Sequence, residues 1–133
     1  MTVRPRLDFY MEKKDEKYLM EVKGCTLEID GIGYFPDAPS ERAVRHLHEL
    51  MHAVKQGYHC ILAFVIAMPG VTVVRPNMTT HPAFGQALSE AMAAGVEVWY
   101  LPCEITADSI QIKGRKRKYY SVQDRLYPRV VIQ

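Results

Sequence analysis

The sequence lacks the features that mark membrane proteins, secreted proteins and cysteine-ligated metal proteins. No apolar run approaches the ~20 residues that a membrane-spanning helix needs, and the longest covers only residues 60–68. The first residues contain no apolar segment of the kind found in signal peptides. The three cysteines are odd in number and far apart, so they fit neither a disulfide framework nor a Cys-x-x-Cys metal site. We therefore expect a cytoplasmic protein with three reduced, mostly buried thiols.

Composition and charge indicate one globular domain with a basic end. The 133 residues are 48% hydrophobic and 24% charged, which is ordinary for a folded domain. The net charge of +2 is unevenly divided along the chain. Residues 113–133 hold seven Lys or Arg and one acid, whereas residues 1–112 hold ten Lys or Arg and fourteen acids. This division predicts an acidic body and a basic C-terminal extension, which we take as residues 114–133.

The hydrophobic pattern predicts an α/β fold with the element order ββαβαββ and without internal repeats. The first helix places Val44, Leu47, Met51 and Val54 on one face, and its start can be capped by Asp37 or Ser40. The alternation of strands and helices in the middle of the chain predicts right-handed crossovers and a mixed sheet with helices packed on it. Strands are predicted over residues 7–12, 17–24, 58–68, 96–104 and 109–113, helices over 39–56 and 82–94, and loops over 31–39 and 69–80.

The most informative polar residues are Asp8 in the first predicted strand and the run Glu21-Val22-Lys23 in the second. Because alternate residues of a strand share a face, Glu21 and Lys23 project together, and Met20 and Val22 are expected to face the core. We expect Asp8 beside Glu21, where two carboxylates repel unless a cation lies between them. Oxygen ligands suit Mg²⁺ or Mn²⁺, and a neighbouring lysine can orient water or stabilise a reacting phosphate. Taken alone, the Glu-x-Lys pattern on a strand face is usually a solvated surface ion pair.

Several longer stretches carry further information, namely residues 6–9, 20–27, 33–42 and 46–50, supported by 57–58, 82–84 and 95–98. Together they resemble the sugar fermentation stimulation protein A family, and the resemblance covers residues 4–113. It implies a PD-(D/E)-x-K domain over residues 1–113, which is α/β and restriction-endonuclease-like, with a mixed central sheet flanked by helices. It also implies catalytic roles for Asp8, Glu21 and Lys23, with Asp8, Glu21 and the carbonyl of Val22 as ligands of Mg²⁺ or Mn²⁺.

The resemblance also implies a function and a partner. Members of the family are described as DNA-binding proteins and as DNA or RNA nucleases linked to the regulation of sugar metabolism. A metal-dependent nuclease is therefore expected here, and the alternative is a non-catalytic nucleic-acid-binding regulator. Arg42 and His46, four residues apart on a predicted helix, are expected phosphate contacts. The family usually carries an N-terminal OB-fold domain, which we expect this chain to lack, and nothing in the sequence indicates a homo-oligomer.

A second metal-binding motif competes with this interpretation. The run His48-Glu49-Leu50-Met51-His52 matches H-E-x-x-H, in which two histidines one helical turn apart bind Zn²⁺ and the glutamate acts as a general base. It makes a zinc hydrolase a remote alternative. At roughly 100° per residue, His46 projects about 200° away from His48 and is a poor third ligand. An amphipathic helix with both motif histidines on its polar flank is the favoured interpretation.

The basic extension also has two interpretations. Its cations can neutralise phosphates, and the adjacent Tyr119 and Tyr120 can stack on unpaired bases. It can equally be a solvated terminus, although the apolar residues 130–132 predict a strand that packs back on the domain. The candidate nucleic-acid contacts in this segment are Arg115, Lys116, Arg117 and Lys118.

Overall fold

The structure, a computed structural model, describes residues 8–105, 110–112, 116–119 and 129–132, with side chains described for residues 8–103. Within these ranges the chain forms ten strands and two helices. In chain order they are β1 (Phe9–Lys13), β2 (Glu16–Cys25), β3 (Leu27–Ile29), β4 (Ile32–Phe35), α1 (Glu41–Lys55), β5 (His59–Ile66), β6 (Val74–Pro76), α2 (Pro82–Ala94), β7 (Glu97–Ile105), β8 (Ile110–Ile112), β9 (Lys116–Tyr119) and β10 (Arg129–Ile132).

A mixed central sheet runs in the order β1-β2-β5-β7-β9-β10, with β8 paired to β7. Strands β1 and β2 form the predicted antiparallel hairpin, in which Lys14 and Asp15 both have positive φ angles, as in a type I′ turn. Strands β2, β5 and β7 run parallel, and β9 and β10 follow in antiparallel pairs. The predicted α/β class and mixed central sheet are confirmed.

Both predicted helices are present, and they pack together on one face of the sheet. The Ser40 side chain accepts a hydrogen bond from the Ala43 backbone N–H at 3.1 Å, so the predicted cap of α1 is confirmed. Helix α2 begins at Pro82 and ends before Gly95, whose φ of 112° favours glycine. Neither helix in the described part of the chain is long and apolar enough to span a membrane. The large fully buried core side chains beneath the helices include Leu19, Leu47, Leu50, Leu62, Phe64, Phe84, Leu88, Val98 and Tyr100.

The element order ββαβαββ is incomplete, because both predicted loops contain short strands. Strands β3 and β4 form a second hairpin, and β4 pairs in parallel with β6 to make a separate three-stranded sheet. The turn between β3 and β4 has positive φ angles at Asp30 and Gly31. Strands of three or four residues are too short to show a period, and the β4–β6 pairing joins distant segments, so the sequence pattern carries no signal for them.

The prediction that Met20 and Val22 face the core is wrong. The buried face of β2 carries Leu19 and Cys25, each 1% exposed, and Glu21 lies between them at 3%. Residues 20 and 22 point to the opposite face of the sheet and are half-buried. The alternation was predicted correctly, but its phase was reversed because a buried carboxylate occupies a position that apolar residues normally fill.

The predicted apolar face of α1 is also rotated. Of its four members only Leu47 is fully buried, whereas Val44, Met51 and Val54 are half-buried at the edge of the core. The buried face is completed by Ala43, His46, Leu50 and Ala53. A histidine therefore occupies a place in the stripe that packs on the sheet, next to the buried glutamate of β2.

The three cysteines are free, as predicted. Cys25 and Cys60 are buried, and Cys103 is half-buried. Burial raises the pKa of the Cys60 thiol to about 11, which keeps it protonated and unreactive at neutral pH.

Candidate active site

The start of the β1–β2 hairpin brings the two predicted acids together. Asp8 immediately precedes β1, and its Oδ2 accepts a hydrogen bond from the backbone N–H of Val22 at 2.8 Å. This bond ties the carboxylate to the middle of β2, next to Glu21, with which Asp8 shares a side-chain hydrogen bond. The structure therefore places the two carboxyl groups side by side, as the sequence pattern predicted.

Glu21 is the most unusual residue of the site, because a carboxylate is buried in the layer between sheet and helices. Only 3% of the residue is exposed, and its Oε2 lies 3.2 Å from Nδ1 of His46 on α1. Among the residues described with side chains, this oxygen makes no hydrogen bond. A buried carboxyl oxygen without a hydrogen-bond partner is costly, so it indicates that the site is built for something other than stability.

Lys23 shares the face of Glu21, as predicted, and reaches the same histidine. Its Nζ lies 2.8 Å from Nδ1 of His46, and the lysine is half-buried. His46, predicted as a phosphate contact on the helix face that it shares with Arg42, is only 7% exposed and lies inside the site. The reason is that residue 46 falls among the small and apolar residues of α1 that pack on the sheet. Helix α1 thus supplies a side chain to the acid–lysine cluster.

Burial and neighbouring charges separate the pKa values of these groups. Burial and the hydrogen bond with Asp8 raise the pKa of Glu21 to about 7, against the opposing charges of Lys23 and Arg42. Burial also raises the pKa of Asp8, but its hydrogen bonds with Glu21 and the Val22 N–H outweigh that effect and lower it. At pH 7 Glu21 is therefore about half protonated, and its proton takes the place that a bound cation would take.

The two bases of the site are shifted in the opposite direction. Burial lowers the pKa of Lys23, partly offset by the charge of Glu21. Burial and the nearby Lys23 lower the pKa of His46, which favours a neutral imidazole. The cluster is thus one coupled group of titratable side chains rather than a set of independent charges.

Helix α1 presents three polar residues to the site at helical spacing, namely Arg42, His46 and Glu49. Arg42 is exposed at the rim, and its charge acts on Glu21 and Lys23. Glu49 is half-buried, its charge acts on Lys23, and its buried Oε2 makes no hydrogen bond to the residues described with side chains. Sequence reasoning missed this role of Glu49 because it assigned the residue to H-E-x-x-H, although the spacing from His46 carried the signal.

The zinc-hydrolase alternative gains no support from the geometry. His48 and His52 are exposed on α1, and Nε2 of His52 lies 2.9 Å from Nε2 of Gln56. The carboxylate between them, Glu49, acts electrostatically on Lys23 and His46. In the described residues no three His, Cys, Asp or Glu side chains come together in a way that could hold a metal ion. A tetrahedral zinc site needs a third protein ligand that this helix does not find.

A hard divalent cation needs fewer protein ligands than a tetrahedral zinc ion does. Mg²⁺ and similar ions keep several waters and are held by one or two carboxylates. Asp8 and Glu21 supply two adjacent carboxyl groups, and the buried Oε2 of Glu21 is without a hydrogen-bond partner in the described part of the chain. The two carboxyl groups therefore fit a divalent ion that prefers oxygen ligands, and the Val22 carbonyl is a candidate third ligand.

The basic residues of the C-terminal extension lie in another part of the sheet. Lys116, Arg117 and Lys118 belong to β9, which pairs with β7 and not with the β1–β2 hairpin. Three strand spacings separate β9 from β2, or about 14 Å. Arg115 lies outside the described residues. The predicted strand near the C-terminus is present as β10.

The fold and the site together define a class of protein. The antiparallel hairpin β1–β2 leads into the parallel strands β2, β5 and β7. Asp8 precedes β1, and the run Glu21-Val22-Lys23 lies on β2 beneath helix α1. This arrangement is that of a restriction-endonuclease-like α/β domain.

The family follows from sequence comparison. The family described as "Sugar fermentation stimulation protein RE domain" matches residues 2–109, and the chain belongs to this family. The sugar fermentation stimulation protein homolog of Desulfitobacterium hafniense strain Y51 is 49% identical over 106 residues, which cover 80% of this chain and 46% of that protein. The homolog of Clostridium beijerinckii is 47% identical over 108 residues, with 81% and 48% covered. The chain thus spans a little under half the length of these curated relatives.

A solved structure shows the same fold. The SfsA protein of Pyrococcus furiosus, determined in complex with Ca²⁺, superposes with a TM-score of 0.77 at 28% sequence identity. The match covers 86% of this chain and 52% of that chain.

Proposed function

We propose that this domain is a metal-dependent nuclease that hydrolyses phosphodiester bonds in DNA or RNA with Mg²⁺ or Mn²⁺. The observation that carries the proposal is the buried Glu21, whose Oε2 makes no hydrogen bond among the described side chains while Asp8 and Lys23 lie beside it. Such an arrangement destabilises the metal-free fold and becomes favourable when a cation is bound. A purely structural ion pair would instead satisfy both carboxylate oxygens.

The residues that would hold the ion are Asp8, Glu21 and the carbonyl of Val22. A divalent ion at this position supplies Lewis acidity and lowers the pKa of water near the reacting phosphate. The Pyrococcus furiosus relative was determined in complex with Ca²⁺, an ion that also prefers oxygen ligands. That finding supports a divalent site in the family, and Mg²⁺ or Mn²⁺ at this one remains our proposal.

The other side chains have distinct parts in the proposed reaction. Lys23 donates hydrogen bonds to the attacking water and to the phosphate oxygens as negative charge develops on them. The half-buried position of Lys23 strengthens this interaction, because the surrounding dielectric is lower than in water. Arg42 at the rim binds a neighbouring phosphate of the substrate, for which its forked guanidinium is suited.

The proposal is tested by incubating labelled single- and double-stranded DNA and RNA with Mn²⁺, Mg²⁺ or EDTA. We expect cleavage that needs metal and is lost in Asp8→Asn, which keeps an acceptor for the Val22 N–H but loses the charge. Asp15→Asn, in the exposed β1–β2 turn, is the matched control and should cleave normally. Binding without cleavage under every metal would contradict the proposal and favour the non-catalytic regulator.

The curated relatives are about twice as long as the matched region. Their name refers to stimulation of sugar fermentation. We propose that the domain acts on nucleic acid in the cytoplasm, where its thiols stay reduced, and that the basic residues of β9 add affinity for the backbone.

Arg42 provides a prediction about substrate binding. Arg42→Gln should raise KM about threefold to tenfold and leave kcat nearly unchanged, because one phosphate contact of about 1 kcal/mol is lost in ground and transition states alike. The dependence of binding on salt should also become less steep by about one phosphate. Lys55→Gln, an exposed change at the other end of α1, is the control for lost positive charge. An unchanged KM in Arg42→Gln would remove Arg42 from the substrate site.

A further inference from the structure

One nitrogen of His46 faces two different groups. Nδ1 lies 2.8 Å from Nζ of Lys23 and 3.2 Å from Oε2 of Glu21. A ring nitrogen carries either a hydrogen or a lone pair, so it can accept from the lysine or donate to the carboxylate, but not both. The contacts therefore define two exclusive states of the imidazole, and the choice between them decides which neighbour is held.

The chemistry of lysine selects one of these states. A lysine ammonium has three donors and no acceptor, so Nδ1 must offer its lone pair and the ring hydrogen must lie on Nε2. In that tautomer Nδ1 has no hydrogen to give to Glu21. The structure agrees, because Oε2 of Glu21 makes no hydrogen bond within residues 8–103 even though Nδ1 lies only 3.2 Å away. The shorter of the two contacts is the one to Lys23.

We infer that His46 is a positioning residue, which holds the ammonium of Lys23 through the lone pair of Nδ1 and thereby leaves Oε2 of Glu21 open for a ligand. The inference rests on the proposed function insofar as the positioned lysine serves phosphodiester cleavage. Burial supports it, since His46 is 7% exposed and lies in the packed face of α1, where its ring cannot move freely. Glu49, one turn further along α1, adds an attractive charge for Lys23.

The first test reads the tautomer directly and does not depend on cleavage. Imidazole ¹⁵N–¹H spectra of the metal-free protein at pH 8 distinguish a ring protonated on Nε2 from one protonated on Nδ1, and His46→Asn identifies the signals. We expect His46 as the Nε2–H tautomer, with Nδ1 becoming protonated in Lys23→Met, where Glu21 is left as its partner. A wild-type ring protonated on Nδ1, or a tautomer unaffected by Lys23→Met, would overturn the inference.

The second test asks whether the position of the acceptor matters. The amide of asparagine overlies Nδ1 of a histidine, whereas the longer glutamine carries its amide near Nε2. His46→Asn should therefore keep kcat within about tenfold of wild type, the worth of a somewhat weaker hydrogen bond, and His46→Gln should lower it about 100-fold through misplacement of Lys23. KM should stay unchanged in both variants, and His48→Gln, on the exposed side of α1, is the control.

The outcomes of the two tests can be told apart. Equal kcat values for the asparagine and glutamine variants would contradict the positioning role and leave the nuclease proposal intact. A wild type that cleaves nothing would contradict the nuclease proposal, and the imidazole spectra would still decide whether His46 holds Lys23. Melting curves of all variants show whether a loss reflects misfolding, which the asparagine variant would then share.

Discussion

Glu21→Gln is expected to stabilise the metal-free protein at alkaline pH and, at the same time, to remove its metal-dependent cleavage. The folded-state pKa of Glu21 is about 7, raised from 4.5 by burial and by its hydrogen bond with Asp8. The folded protein therefore binds this proton more tightly than the unfolded chain does, so stability is lost as the pH rises from about 4.5 through about 7. Glutamine has nearly the same shape but cannot ionise, so the variant keeps its stability as the pH rises.

The expected size follows from the pKa difference. At 1.36 kcal/mol per pKa unit, ionising Glu21 costs the metal-free fold about 3 kcal/mol at pH 8. Urea unfolding with EDTA should show Glu21→Gln more stable than wild type by a large part of this amount at pH 8 and nearly equal to it at pH 5. Glu90→Gln, an exposed change on α2, should show no such pH dependence. A glutamine variant that is less stable than wild type at pH 8 would show that ionised Glu21 is already paired.

Measuring cleavage by Glu21→Gln separates the effect of the substitution on function from its effect on stability. A glutamine amide is a poor ligand for a hard cation that asks for carboxylate charge, so activity should fall by at least about 100-fold. A variant that is more stable and less active is the signature of a site that carries strain for function. Normal cleavage by Glu21→Gln would exclude this carboxylate as a metal ligand.

Lys23→Met should abolish cleavage while keeping the fold. We expect a fall in kcat of about 10²–10³-fold, the usual effect of removing one donor that stabilises charge in a transition state. Methionine fills the space of the half-buried lysine stem and carries no charge to desolvate, so the free energy of unfolding should change little. Single-turnover cleavage measures the rate of the chemical step, and calorimetric titration measures the Mn²⁺ affinity of the same samples.

The control for Lys23→Met is Lys55→Met, which removes an exposed lysine near the end of α1. Its cleavage rate and Mn²⁺ affinity should match those of wild type. Cleavage retained by Lys23→Met would refute the catalytic role of the lysine. The Mn²⁺ affinity of this variant should fall, because Nδ1 of His46 then donates to Oε2 of Glu21, and an unchanged affinity would show that this oxygen stays open without the lysine.

The sequence was sufficient to predict both helices and the proximity of the three site residues. Strong periodicity located both helices, and α2 has the predicted bounds because Pro82 and Gly95 mark its ends. The spacing of Glu21 and Lys23 on one strand, with Asp8 on its neighbour, predicted their proximity. These are local relations, and local relations are what a sequence pattern encodes best.

The missed features depend on contacts between distant segments. The pairing of β4 with β6 and the docking of α1 over Glu21 join residues that no short pattern relates. The expectation that buried positions hold apolar side chains also failed at the candidate site, since Glu21 and His46 are both buried. The roles of His46 and Glu49 could be recognised only after the helix had been placed on the sheet.

Equilibrium titration of Mn²⁺ into the metal-free protein at pH 8, by isothermal calorimetry, tests most directly whether Asp8 and Glu21 form a divalent-cation site. We expect the wild-type chain to bind Mn²⁺ and Asp8→Asn to bind it at least about tenfold more weakly, because a second carboxylate contributes strongly to a hard-ion site. Asp15→Asn should bind like wild type. A wild-type chain that binds no Mn²⁺, or an Asp8→Asn variant that binds it equally well, would contradict a divalent-cation site at Asp8 and Glu21.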